Sequence, residues 1–241
     1  MEKLPLYVGL FFGLITLLTV LLFYKASNHS RISGIVLLAL LTIQAVIGLS
    51  GFFTVTDTTP PRFFLLIIPP LLCTLTLFVT KKGRHYIDSF DTMKLTLLHT
   101  IRIPVEIGLF ILCSYKVIPQ LMTFEGRNFD IISGITAPLV YYFGFVKNKI
   151  SSRILLLWNF VCLALLVNIV LNAVFAAPFP FQKFGFEQPN IAVLYFPYVW
   201  LPGCIVPLVL FSHLVTIRQL LKRERNTTRI QDSVKPSPIS R

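Results

Sequence analysis

The stretch LLHTIRIPVEIGLF, Leu97–Phe110, is apolar enough for a membrane segment and yet carries His99, Arg102, Pro104 and Glu106. At about 100° per residue, His99, Arg102 and Glu106 fall within an arc of about 60°, so a helix presents all three on one face. Lipid does not solvate such groups, and a lone Arg at the centre of a span costs about 2.5–3.5 kcal/mol on insertion scales. The stretch therefore predicts a membrane helix whose polar face turns inward, against other helices. Arg102 and Glu106, four residues apart, can neutralise each other, although acid before base is the better order. Pro104 removes a backbone donor between them and invites a kink.

Composition agrees with a lipid environment. Of 241 residues, 55% are hydrophobic and 13% charged, where a soluble domain carries about 25% charged residues. The net charge of +12 does not point to nucleic acid, because the basic residues sit in short loops between apolar runs and form no stripe. Cys73, Cys113, Cys162 and Cys204 all lie in apolar segments without CxxC spacing and read as small core residues. The first apolar run is too long for a signal peptide and lacks a small-residue cleavage site, so it reads as a retained span.

A helix needs about 20 apolar residues to cross the hydrocarbon core. Seven segments qualify: Leu4–Tyr24, Ile32–Phe53, Phe63–Thr80, Leu95–Val117, Ile131–Val146, Ile154–Phe175 and Ile191–Ile217. The fifth is short and the seventh long. Alternate loops, taken with the C-terminal tail, hold sixteen Lys and Arg, and the other loops hold five. Positive charge stays on the cytoplasmic side. The expected fold is all-α: a seven-transmembrane-helix bundle with its N-terminus outside and its C-terminus cytoplasmic. A single membrane domain covers 1–217, and a basic, partly disordered tail covers 218–241. The tail serves as an anchor to anionic headgroups or as a docking site for a cytoplasmic partner. The glycosylation pattern at Asn226 falls on the cytoplasmic side and is set aside.

Other polar residues are candidate companions of the first three. His213 lies at the depth of His99 by helical rise, so the two rings can meet if the fourth and seventh helices face each other. They would then share a proton, or stay neutral with each ring bonded to a carbonyl or an amide such as Asn159. Trp158, Asn168 and Asn172 share a face of the sixth helix. Tyr195 and Tyr198 share a face of the seventh with Pro202 and His213, or belong to an aromatic belt. The outer loop TFEGRNFDIISG carries Glu125, Arg127, Asn128 and Asp130. It reads as a recognition loop, or as a turn in which Asn128 or Asp130 caps the fifth helix. The candidate ligand-binding set is His99, Arg102, Glu106, Glu125, Arg127, Asp130, Trp158, Asn168, Asn172, Tyr195 and His213. No metal site, cofactor or catalytic residue is expected.

The strings HTIRIPVE and MTFEGRNFDIISGITAP resemble small, uncharacterised multi-pass membrane proteins of environmental bacteria. That resemblance implies a bacterial inner-membrane location and no activity. Seven helices are also similar to rhodopsins, but no Lys lies between Ile191 and Ile217 to anchor retinal. Membrane hydrolases of the ceramidase type need more histidines than the two found in spans. The prolines in IIPPLLCTLTLFVT and LPGCIVPLVLFSHLVT resemble the interrupted helices of SWEET and PQ-loop sugar transporters. In that family, however, the fourth helix is a plain linker.

These residues predict an integral membrane protein that binds or transports a small polar or amphipathic molecule through a polar intramembrane cavity. Its partners are the lipid bilayer, the small molecule and a possible cytoplasmic protein at the tail. Two rivals remain. One is a sensor signalling through the tail, and the other is a lipid-acting enzyme with His99 or His213 as general base.

Overall fold

The computed structural model describes residues 4–234, with side chains described through Asn226. Within them every regular element is helical: α1 (Leu6–Ala26), α2 (Arg31–Leu49), α3 (Phe64–Val79), α4 (Lys81–Asp88), α5 (Thr92–Leu98), α6 (Arg102–Ser114), α7 (Asp130–Val140), α8 (Ser152–Ala176) and α9 (Val206–Val234). Short 3₁₀ turns and two π-helical segments, Tyr141–Val146 and Leu201–Ile205, complete the set. The C-terminal stretch 235–241, read as part of a disordered tail, lies outside the described residues.

Polar residues set several boundaries by accepting orphan amides of the first turn. Ser30 takes the amide of Ser33, Thr80 that of Gly83, Asp91 those of Met93 and Lys94, and Ser151 that of Ile154. After Thr80 the chain bends by 95° from α3 into α4. Gly83 makes that bend possible, since a Cβ there would lie 2.4 Å from the Leu77 carbonyl oxygen.

Five helices are long and apolar enough to cross a membrane: Leu6–Ala26, Arg31–Leu49, Thr92–Ser114, Ser152–Ala176 and Leu201–Asn226. The bent pair α3–α4 makes six if it counts as one span. The expected fifth span is a shorter apolar helix, Asp130–Val146. Pro104 does not break Thr92–Ser114. It removes the amide that would reach the Thr100 carbonyl, and the helix tightens into a 3₁₀ turn over His99–Ile101. The expected seventh helix, by contrast, starts ten residues late, at Leu201 against the expected Ile191. Pro197 has no amide with which to continue a helix from the preceding residues, and Pro202 sits in the first turn of the new helix, where a missing amide is tolerated; only a 3₁₀ turn forms earlier, at Ala192–Leu194. Tyr195 and Tyr198 therefore lie ahead of the helix and share no face of it.

Hydrogen bonds among loops and neighbouring helix turns sort the chain into two ends. At one end Asp91 N reaches Ala26 O, Asn28 reaches Ser89 O, and Arg218 and Lys222 hold Asp88. At the other, Tyr7 meets Tyr115, Ile191 N reaches Val117 O, and Asn168 reaches Arg127 O. The α5–α6 span runs through the middle, packed by α1, α7 and α9, while α9 also packs on α8 and α3. Large apolar side chains point outward, Leu14 and Leu38 among them at 65% and 68% exposure. That distribution suits a hydrocarbon solvent.

Candidate functional site

Arg102 opens α6 and is 3% exposed. Its Nη1 lies 3.3 Å from Asp130 Oδ1 and 3.3 Å from the Cys162 carbonyl, and its Nη2 is 3.1 Å from His213 Nε2. The expected neutralising partner, Glu106, is displaced by Asp130. The first residue of α7 reaches the guanidinium from a neighbouring helix, whereas Glu106 sits a turn further along α6 and takes a hydrogen bond from Asn128 instead. Asn128 Oδ1 in turn accepts the Asp130 amide at 3.1 Å, so one asparagine locks both carboxyl-bearing residues in place.

A guanidinium can only donate. His213 Nε2 therefore accepts from Arg102, and its Nδ1–H donates to Asn159 Oδ1 at 3.0 Å. Asn159 uses its own amide on the Leu155 carbonyl, 2.9 Å away, which leaves the Oδ1 free to accept. Donor inventory thus assigns His213 as a neutral ring with one defined tautomer. His99 lies flat against it, with ring centroids 3.8 Å apart at 16°, and Trp158 meets His99 edge-on at 5.7 Å. Both histidines are fully buried. The two imidazoles do meet, as equal depth suggested. Both nitrogens of His213 are engaged, and His99 does not line the cavity described next, so neither is placed as a general base.

Beside this cluster lies a cavity of about 220 Å³. Its walls are apolar side chains of α3, α6, α8 and α9, and its polar groups are Glu106, Asn128, Asp130 and Asn190. The polar cavity read from the sequence is in fact an apolar one with an acidic patch, because most of the charged face of α6 is consumed by the Arg102 cluster. Leu71 on α3 and Val167 and Leu171 on α8 line it and are also exposed on the outer surface. The mouth therefore opens sideways, between α3 and α8.

Of the candidate residues, His99, Arg102, Asp130, Trp158 and His213 form the buried cluster, with Glu106 joined through Asn128. The remaining five lie apart. Glu125 and Arg127 are exposed, Glu125 taking a long contact from Gln120 and Arg127 stacking over Phe184. Asn168 bonds the Arg127 carbonyl, Asn172 bonds Asn168, and Tyr195 sits at the surface. The sequence marks Asn128 as a helix cap or a recognition-loop residue and does not single out Asn190. A buried asparagine in a loop carries no periodic signal, and only its partners reveal it. Among the described residues no group of three or more His, Cys, Asp or Glu could hold a metal ion.

Residues 59–221, which carry every one of these groups, match a domain of unknown function, DUF8737. The chain belongs to that family. No curated protein and no solved structure matches it.

Proposed function

We propose that this DUF8737 protein binds, and moves or presents, a small amphipathic molecule taken up from the bilayer through the mouth between α3 and α8. The observation that carries this reading is Glu106, 2% exposed, at the wall of a predominantly apolar cavity. Intramembrane ionisable groups are expensive and mark functional sites by default. The apolar part of the molecule fills the cavity and its polar end meets Glu106 and Asn128. In this reading the chain is a seven-span protein of the cell membrane with its N-terminus outside, and the sixteen-to-five division of Lys and Arg supports that orientation.

The test of the binding reading is to fill the cavity. Ala173→Phe projects a ring into it and is expected to abolish stabilisation by short-chain alcohols in a thermal-shift assay while the protein still folds. Unchanged stabilisation would refute the reading. For orientation, a cysteine probe in the Phe179–Gln188 loop should react from outside the cell and one at Ser151 should not, and the reverse pattern overturns it. A sensor is the second reading, favoured by one feature: α9 lines the cavity at Val206 and Pro207 and continues unbroken to Arg218 and Lys222. Deleting residues 227–241 separates the two, because transport survives it and signalling does not.

A further inference from the structure

The charges around the cavity do not balance. Arg102 supplies one positive charge, and Asp130 and Glu106 supply two carboxyl groups, while His213 is held neutral by its own hydrogen bonds and His99 packs flat against it beside the guanidinium, with neither ring nitrogen hydrogen-bonded to an acid. Asn128 and Asn159 contribute only dipoles. Asp130 is spoken for by Arg102. Glu106 has one oxygen, Oε1, bonded to Asn128, and its Oε2 is buried with no hydrogen-bond partner. A surplus carboxylate in an apolar wall is strongly unfavourable unless something cationic or a donor meets it. A proton would suffice for balance, but a proton needs no cavity. Here the group that lacks a partner lines a space of about 220 Å³ whose other walls are almost wholly apolar.

Resting on the binding reading above, we infer that the ligand is a short-chain amphipathic monocation, such as an alkylammonium, with its ammonium against Glu106 and its hydrocarbon between α3, α8 and α9. The size of the space sets the scale, since it lies below the roughly 300–1,000 Å³ of pockets for drug-sized ligands. One chain fits, and a two-chain lipid does not. Charge excludes the anionic counterpart, because the only guanidinium in the cluster is already held by Asp130, the Cys162 carbonyl and His213.

The experiment measures dissociation constants of hexylamine, 1-hexanol and hexanoate for the purified protein in a neutral-lipid nanodisc at pH 7.5, each against a protein-free nanodisc. The same chain then carries a cation, a neutral hydroxyl and an anion. Hexylammonium is expected to bind at least roughly tenfold more tightly than hexanol, a difference of about 1.4 kcal/mol, and hexanoate more weakly than either. In Glu106→Gln, which retains the acceptor for Asn128, the cation is expected to lose that advantage and bind no more tightly than hexanol does to the same variant. A cooperative melting transition like that of the wild type shows that the variant is folded. Equal binding of hexylammonium and hexanol to the wild type, or a preference that survives Glu106→Gln, overturns the cation assignment and leaves the cavity reading standing. Failure of all three to bind the wild type overturns both.

Discussion

Two groups of spans differ in a way that inverts the logic of a soluble protein. Thr92–Ser114 and Leu201–Asn226 have the lowest mean hydropathies of the five, 1.6 and 1.8, and are the most buried, at 61% and 67% of their most apolar windows. Leu6–Ala26, Arg31–Leu49 and Ser152–Ala176 reach 2.5, 2.4 and 2.6 and are only 33%, 22% and 28% buried. In water the greasier helix goes inside. In lipid it has no reason to, because hydrocarbon tails are as apolar as leucine. What drives a helix to the centre is the polar group that lipid cannot serve, and His99, Arg102, Glu106 and His213 ride on the two central spans. The difference teaches that the interior here is organised by polar satisfaction and the exterior by hydropathy.

The sharpest way to break that comparison is to unbalance the centre. Asp130→Asn leaves Arg102 with a carbonyl and an imidazole but no carboxylate within ion-pair distance, and loss of one member of a buried pair costs about 3–5 kcal/mol. Folded yield and thermal stability should fall accordingly, and adding Arg102→Gln should recover most of the loss in a double-mutant cycle. Leu38→Ala, on the outward face of α2, should change stability far less. Equal effects at the two positions would erase the distinction.

A second prediction concerns the exception. Gln44 is a buried polar residue on α2, the least buried span, and its Nε2 donates to Gly203 O at 2.8 Å. Pro207 explains the arrangement: it lies four residues after Gly203 and has no amide to offer that carbonyl. Gln44→Leu should cost about 1–3 kcal/mol by stranding a buried acceptor, measurable as a lowered melting temperature. No change would mean that polar satisfaction does not govern the periphery.

The smallest effect is expected at the basic end, where water competes. Burial alone would raise the Asp88 carboxyl, but hydrogen bonds and charge from Arg218 and Lys222 hold it below its ordinary value of 3.8. A carboxylate lowered on folding stabilises the protein above its unfolded pKa, and that contribution disappears as pH falls through the folded one. With Lys222 59% exposed, the tie is worth about 0–1 kcal/mol. Acidification below about pH 4 should loosen α4 from α9, seen as faster amide exchange at the Asp91 amide next to it. Asp88→Asn should remove this pH dependence.

Much of this was legible in the sequence because hydropathy and charge are local signals. The inward face of His99, Arg102 and Glu106 and the equal depth of His99 and His213 needed only helical geometry. The pairing of Arg102 was not legible. An acid four residues away looked sufficient, and nothing local says that an aspartate 28 positions on, at the start of another helix, lies nearer. The late start of the last helix could have been read, since Pro197 argues against helix through an otherwise apolar run and Pro202 suits a first turn. The apolar character of the cavity could not, because it depends on which polar groups satisfy one another first.

The bond from Gln44 to Gly203 has a further consequence. The stretch matching the family begins at residue 59, yet the Gly203 carbonyl inside that stretch, which Pro207 cannot serve, accepts from a side chain at residue 44. The edge of the sequence match is thus not a seam in the molecule. Relatives that share the Gly203–Pro207 spacing but lack a hairpin like α1–α2 would need another donor at that carbonyl. Such a relative would have to bring that donor from a different element of its fold.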